Sequence, residues 1–317
     1  MNLLFFDIEC ASVYKNTAKI CAFGYVLCDE KFNILEKEDI LINPKGKFHL
    51  TDGRGEHGLV LPYEYSEFKN YPNFTQVYKR IRDLLQNKNN LVFGHATLND
   101  VNYLDLETKR FNLPPFKFTF SDSQVMYMTS VCDYSRQFGL EYITKDLDVE
   151  FTPHRAADDA YATMRVVEAL CKKHGCDCIE LEKVLQIRRG RTANHKTLRP
   201  DSKPFADYRE ANAREKVERA ARRKKFYAVV NGRRQAKSKY LSGRIFNFSR
   251  PLEEEIDVSL PLVKRVFEQG GTYTPKLKEC NVFVCESEDN SVRTRTARET
   301  EGLKIMSVSE LMELLND

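Results

Sequence analysis

The chain has 317 residues, of which 42% are hydrophobic and 30% are charged. This length suits two domains, and the composition lets each bury a core, which excludes a chain that is disordered overall. The sequence has no run of about 18 apolar residues, so we expect no membrane-spanning helix and no membrane partner. Its first stretch, MNLLFFDIEC, lacks a basic segment and carries acids, so we expect no secretion signal.

The nine cysteines are an odd number, which together with the missing export signal predicts free thiols and a cytoplasmic location. Four possible zinc ligands cluster in CKKHGCDC, namely Cys171, His174, Cys176 and Cys178. Their spacing fits no common zinc pattern. We therefore favour a helix end followed by a glycine turn over a zinc site.

The net charge of +4 is unevenly distributed along the chain. Counting Lys and Arg against Asp and Glu, residues 1–185 carry −5, residues 186–244 carry +14, and residues 245–317 carry −5. A one-signed excess of this size is typical of phosphate-binding segments, although a solvated helical spacer is the alternative. We predict three regions: a domain over 1–185, a basic linker over 186–242 and a small domain over 243–317.

The first region begins with strands and continues with alternating helices and strands. LLFFDIEC, KICAFGYVLCD and FNILEKEDILINP predict three strands, and residues 46–72 predict a long loop rich in polar residues, Gly and Pro. Strands NLVFGH and FKFTFSD then alternate with helical stretches, which are FTQVYKRIRDLLQN, LNDVNYLDLETKRF, QVMYMTSVC, GLEYITKDL and a long helix from Arg155 to about Lys173. This order predicts a mixed α/β domain.

The middle region starts with IRRGRTANHKTLRPDSKP, which we interpret as a loop, and continues as a long polar helix, ADYREANAREKVERAARRKKFYAVV. The last region alternates strand and helix three times, with strands GRIFNFS, NVFVCES and LKIMS. Such alternation predicts a small parallel sheet.

Two acids end the first strand. Because side chains alternate along a strand, Asp7 and Glu9 point the same way. Two carboxylates held together near a buried run repel one another unless a cation lies between them, and a divalent metal meets this need. A strand end that simply emerges into solvent is an equally good interpretation of these two residues alone.

Further acids begin two helices. Asp100 alone would be an ordinary first-turn acid. In HRAADDAYAT, a helical wheel places Asp159 on the flank of the buried face and Asp158 on the opposite, solvated side. His154 lies just before this helix and is either a loop residue or a general base whose neutral form the helix N-terminus favours.

The acids in the order Asp7, Glu9, Asp100, Asp159, together with His154, resemble the DEDDh family of 3′→5′ exonucleases, which includes polymerase proofreading subunits. FDIE, FGHATLNDVNYL and HRAADDAYAT resemble its three motifs, and the resemblance spans roughly residues 1–175. It implies a ribonuclease H-like mixed sheet with helices on both sides.

By this resemblance the four acids would hold two Mg²⁺ or Mn²⁺ ions, and His154 would take a proton from the attacking water. The strand would shorten from its 3′ end, releasing nucleoside 5′-monophosphates. The resemblance leads us to expect an asparagine after the histidine of the second motif and an aromatic residue before its aspartate, but the chain has Ala96 and Asn99 there. Neither position is a metal ligand in that family, so we expect activity to persist. We expect substrate affinity or strand preference to differ from that of other members.

The last region resembles a BRCT domain through Gly270–Gly271, the apolar strand after them and the run A-x-E-x-x-G-x-x-I. The resemblance implies that Ser249 and Arg293 contact a phosphate on a peptide or DNA end. Arg250 stands where glycine is common, and Leu311 stands near the place of a frequent tryptophan. A plain protein-interaction module is the alternative.

The basic middle region is predicted to bind nucleic acid near the exonuclease site through sequence-independent phosphate contacts. Its candidate residues are Arg188, Arg189, Arg191, Arg222, Arg223, Lys224, Lys225, Arg233 and Arg234. We expect a DNA exonuclease of repair or replication, because of the BRCT resemblance. The alternatives are an RNA 3′-trimming exonuclease and a nucleic-acid end-binding scaffold with an inactive nuclease fold.

Overall fold

The computed structural model describes residues 1–46, 48, 65–150, 155–232 and 236–316. In these ranges the chain forms two compact units, Met1–Arg209 and Glu210–Asp317. No helix within the described ranges is long and apolar enough to cross a lipid bilayer. Most of the predicted loop over 46–72 lies outside the described residues.

The first unit is built on a sheet of seven strands in the order β3-β2-β1-β4-β5-β7-β8, beside a separate short pair, β6 and β9. The strands are β1 (Asn2–Tyr14), β2 (Thr17–Asp29), β3 (Ile34–Leu41), β4 (Asn90–Gly94), β5 (Phe118–Asp122), β6 (Ile187–Arg188), β7 (Gly190–Ala193), β8 (Lys196–Leu198) and β9 (Asp201–Ser202). The first three are antiparallel neighbours. β4 and β5 run parallel to β1, and β7 and β8 close the sheet as an antiparallel hairpin.

That hairpin corrects the loop we predicted for residues 187–204. Thr192 is buried and Arg191 beside it is exposed, which is the alternation of a strand. The prediction missed this strand because its residues are basic and polar, so the sequence shows no apolar residue at every second position. Asn194 and His195 both have positive φ and supply the tight turn. Residues 186–209, which we expected in a separate linker, therefore belong to the first unit.

Helices cover both faces of the large sheet. They are α1 (Phe74–Leu85), α2 (Leu98–Arg110), α3 (Ser123–Ser130), α4 (Leu140–Asp146), α5 (Ala156–His174) and α6 (Cys178–Val184), and a 3₁₀ turn spans Tyr65–Asn70. The next helix, α7 (Lys203–Val230), begins in this unit and continues into the second. Leu3 and Phe5 pack with α3 and α5 on one face. Leu4, Phe6 and Ile8 pack with α1 and α2 on the other. This mixed sheet between helices is consistent with the ribonuclease H-like fold that the resemblance implied.

The second unit has the predicted parallel sheet, in the order β11-β10-β12-β13. Its strands are β10 (Ile245–Phe248), β11 (Thr272–Tyr273), β12 (Val282–Val284) and β13 (Lys304–Met306). Its helices are α8 (Arg250–Glu254), α9 (Ile256–Glu268), α10 (Val292–Arg298) and α11 (Val308–Asn316), with a 3₁₀ turn at Leu277–Glu279. Phe226, near the end of α7, is buried in its core.

Candidate active site

The acids of β1 face the helix that carries the third motif. Asp7 and Glu9 continue the row of Leu3 and Phe5, and that row packs against α5. The pairing with β2 is irregular directly after Glu9, so a bulge ends the regular alternation there. As a result, carboxylate oxygens of Asp7, Glu9 and Asp159 all lie within 4.8 Å of one another.

A glycine lets α5 come this close. Gly24 on β2 lies directly opposite Asp7. A Cβ atom at Gly24 would lie 2.0 Å from the carbonyl carbon of Ala156 and 2.1 Å from the backbone nitrogen of Ala157. The first turn of α5, which holds Asp159, therefore packs directly on the backbone of β2. No pattern in the sequence marked this glycine, because the contact joins segments about 130 residues apart.

An acid on β3 caps α5 from outside the helix. Arg155, at the N-cap position, makes no side-chain cap. Instead the backbone N–H of Ala157 donates a hydrogen bond of 2.7 Å to Asp39, and Arg155 forms a 3.2 Å ion pair with the same carboxylate. Asp39 lies opposite Gly24 on β3, so Asp7, Gly24 and Asp39 form one row across three strands. Sequence reasoning missed Asp39 because its role depends on tertiary contacts.

Asp100 reaches the site from the C-terminal end of β4, in the first turn of α2, and is 5% exposed. The turn before it is held by Asp122, whose carboxylate accepts hydrogen bonds from the backbone N–H groups of Ala96 (3.1 Å) and Thr97 (3.0 Å). Ala96 has a φ of 48°, a left-handed conformation that asparagine tolerates better than alanine. Alanine therefore costs more conformational energy at this position than the asparagine that the resemblance implied.

The four acids repel one another in a buried place. Burial first, and then the neighbouring carboxylates, raise the pKa of Asp7 and of Asp100 well above its ordinary range. The same causes raise the pKa of Glu9 from 4.5 to about 8, with Asp159 and Asp39 as the charged neighbours. A cation placed among these oxygens would offset the repulsion between the carboxylates and favour their ionised forms. Hard carboxylate oxygens are the ligands that Mg²⁺ and Mn²⁺ prefer, so the donor set fits such ions.

We expect the stabilisation of the protein by Mg²⁺ to grow with pH between about 4.5 and 8. Glu9 binds its proton more tightly in the folded than in the unfolded state. Without metal, the contribution of this bound proton to folding stability is complete below pH 4.5. That contribution is lost as the pH rises from 4.5 to about 8. The difference in melting temperature between Mg²⁺ and EDTA, measured from pH 5 to 8, checks this. A difference that stays constant or shrinks with pH would contradict it.

Asp158 lies apart from the other acids, as the helical wheel predicted. It is half-buried rather than freely solvated, and it forms a 2.7 Å ion pair with Lys37 on β3. His154 lies outside the described residues, so its role stays a prediction.

Most described cations of the basic middle region have acidic partners. Arg188 pairs with Asp201 and Arg189 with Glu182. Arg222 pairs with Glu218 and Arg223 with Glu254, at 3.6 and 3.7 Å. Among described residues, no ion pair involves Arg191, Lys224 or Lys225. Arg233 and Arg234 lie outside the described residues. Asp201 and Glu182 are buried, whereas both members of the Arg222–Glu218 pair are exposed. An exposed pair is weak and can be exchanged for phosphate. The phosphate contacts of this region stay a prediction.

The two predicted phosphate contacts of the second unit are engaged inside the protein. Ser249 is 1% exposed and caps α8 by accepting from the N–H of Leu252. Arg293 donates to Glu253 at 2.8 Å and to the carbonyl oxygens of Phe248 and Pro275. Glu253 is fully buried and thus occupies the place where we expected an external anion. A phosphate would have to displace this carboxylate.

Residues 4–167, slightly more than half of the chain, match the sequence model of a family described as "Exonuclease". No curated protein matches significantly. One similar solved structure is that of a 3′-exonuclease with a histone mRNA stem-loop (13% identity, 64% of this chain, 71% of that one, TM-score 0.49). Another is the nuclease domain of 3′hExo, a DEDDh family member, bound to rAMP (17% identity, 55% of this chain, 92% of that one, TM-score 0.45).

A third is E. coli exonuclease I with a dA16 oligonucleotide, at 17% identity and a TM-score of 0.42, covering 58% of this chain and 42% of that one. All three TM-scores are below 0.5, so the assignment depends on the family match, whose span contains Asp7, Glu9, Asp100 and Asp159. On that match, the chain belongs to the exonuclease family.

Proposed function

We propose that this exonuclease hydrolyses DNA from the 3′ end in a metal-dependent reaction and releases nucleoside 5′-monophosphates. The observation that carries the proposal is the convergence of Asp7, Glu9 and Asp159, whose oxygens lie within 4.8 Å of one another, beside the buried Asp100. A cluster of acids whose pKa values are raised by burial and by one another is typical of a catalytic centre rather than of a structural one.

Each residue has a distinct role in the proposal. Asp7, Glu9, Asp100 and Asp159 would hold two Mg²⁺ or Mn²⁺ ions, which stabilise charge on the attacking and leaving oxygens of a phosphodiester. His154 would take a proton from the attacking water. Asp39 and Gly24 position Asp159, while Asp122 positions the turn that leads to Asp100.

We further propose that the second unit is a BRCT-like module for a protein partner or a DNA end, and that the enzyme acts in DNA repair or replication. Its parallel sheet with alternating helices supports the first part. The resemblance of that unit is also the basis for favouring DNA over RNA. We also propose a cytoplasmic location, on the basis of the odd number of cysteines in the sequence.

Asp159→Ala should reduce strand shortening to the level seen in EDTA, because it removes one of three converging carboxylates. The measurement is a gel of 5′-labelled single-stranded DNA and RNA of one sequence, incubated with Mg²⁺, Mn²⁺ or EDTA. A ladder of labelled, progressively shorter products indicates 3′→5′ action, whereas 5′→3′ action releases the label at once. The faster strand identifies DNA or RNA as the substrate.

Asp158→Ala is the matched control, since it removes the same group one residue away, where the carboxylate pairs with Lys37. It should retain activity. If wild type shortens neither strand with either metal, the proposal fails and the inactive end-binding scaffold becomes the better interpretation. If Asp158→Ala and Asp159→Ala lose activity equally, the site is assigned to the wrong residues.

A further inference from the structure

A basic groove lies at the end of the large sheet that is far from the acids. It has a volume of about 430 Å³ and is bordered by Lys88, Lys117, Arg189 and Arg191, together with Asn90 and Thr119. It lies where β4 begins, at Asn90, whereas Asp100 follows the other end of that strand. Asn90 pairs with Asn2 on β1, and Asp7 lies five residues further along that strand. At about 3.3 Å per residue, the groove and Asp7 are therefore separated by about 17 Å.

The sheet itself gathers these cations on one face. Thr119 is exposed between the buried Phe118 and Phe120, and Arg191 lies directly opposite Thr119. Lys117 and Arg189 directly precede β5 and β7, and both line the same groove as Thr119 and Arg191. Lys88 comes from the turn between α1 and β4. Residues about 100 positions apart in the sequence thus form one surface.

Three of the four cations are available to a ligand. Arg189 is already matched, because its guanidinium donates to the buried carboxylate of Glu182 at 2.9 Å. By contrast, Lys88, Lys117 and Arg191 form no ion pair with any described residue, and none of the residues bordering the groove is acidic. Uncompensated positive charge in a concave surface without acids favours a polyanion over a neutral or cationic ligand.

We propose that this groove binds the phosphate backbone of the substrate strand several nucleotides upstream of the 3′ end. The inference rests on the proposed nuclease function and adds a second contact region on the first unit. At the stacked spacing of about 3.4 Å per nucleotide, a separation of about 17 Å corresponds to about five nucleotides. Strands of ten or more nucleotides reach both places, and strands of three do not.

The test compares Lys88→Gln, Lys117→Gln and Arg191→Gln, combined in one variant, with a control that loses three exposed cations elsewhere, Lys31→Gln, Lys145→Gln and Lys173→Gln. Binding of labelled 20-nucleotide and 3-nucleotide single strands is measured by fluorescence anisotropy in EDTA, which prevents cleavage. The groove variant should bind the 20-mer at least about tenfold more weakly than the control. The slope of log affinity against log salt should fall by about 2, since each single-strand phosphate contact contributes about 0.7.

Steady-state kinetics with Mg²⁺ form the second arm. For the groove variant, KM should rise for the 20-mer and change less than twofold for the 3-mer, with kcat little altered for both. Equal losses for both lengths would overturn the proposal, because they would place the effect at the acids. A groove variant that binds and cleaves the 20-mer as the control does would also overturn the proposal.

The two proposals fail in different ways. If wild type cleaves no strand but the groove variant still loses 20-mer binding in EDTA, the nuclease proposal fails and the groove stands. If wild type cleaves both lengths and the variant binds and cleaves as the control does, the nuclease stands and the groove proposal fails.

Discussion

Gly24→Ala should lower exonuclease activity by at least about 10²-fold, although glycine contributes no functional group. The added Cβ would lie 2.0 Å from the backbone of Ala156, so the first turn of α5 has to move away from β2. That turn carries Asp159, and a misplacement of about 1 Å at a catalytic group is enough for a loss of this size. Overpacking of this kind also costs about 1–3 kcal/mol of folding free energy.

Activity on a 5′-labelled strand and the melting temperature are both measured, so that loss of folded protein is separated from loss of geometry. Gly139→Ala is the matched control, because a Cβ at Gly139 meets nothing within 4 Å. It should leave activity and melting temperature nearly unchanged. A Gly24→Ala enzyme with wild-type rates would show that α5 is not held against β2 as the structure places it.

Glu253→Ala should destabilise the second unit by about 3–5 kcal/mol, the usual consequence of removing one partner from a buried ion pair. The Glu253 carboxylate is fully buried and accepts 2.7 Å hydrogen bonds from the hydroxyls of Tyr227 and Tyr273. It also pairs with Arg250 at 2.7 Å and Arg293 at 2.8 Å. Its loss leaves the guanidinium of Arg293, whose side chain is only 13% exposed, without its counter-charge.

The free energy of unfolding is obtained from urea titrations of the full chain, followed by far-UV circular dichroism. Glu288→Ala, at an exposed position in the same unit, is the control and should change stability by less than about 0.5 kcal/mol. Added phosphate should partly restore the stability of Glu253→Ala and have no such effect on wild type. Equal stability of the two alanine variants would mean that Glu253 is not the internal anion of this unit.

Much of the fold was accessible from the sequence because it depends on local periodicity. The strands β2 and β4 and the helices α1, α2 and α5 were predicted close to their observed bounds, since apolar residues recur at the spacing of each element. By contrast, β1 continues to Tyr14, four residues beyond the end of the predicted strand LLFFDIEC, so Asp7 and Glu9 lie within the strand and not at its end. The hairpin of β7 and β8 was missed for the opposite reason. Its strands are short and basic and therefore lack the apolar period that a prediction needs. They form because β7 pairs with β5 and β8 pairs with β7.

The same distinction holds for the site. Side-chain alternation along β1 puts Asp7 and Glu9 on one face, and the helical period of α5 puts Asp159 and Asp158 on different faces. Both relations lie within single elements, so the sequence alone determines them. Only the tertiary structure decided how closely these acids meet, through Gly24 and Asp39, and which cations are already neutralised, as for Arg189 and Arg293. Close backbone approach and charge compensation join residues distant in sequence, and no local pattern records such contacts.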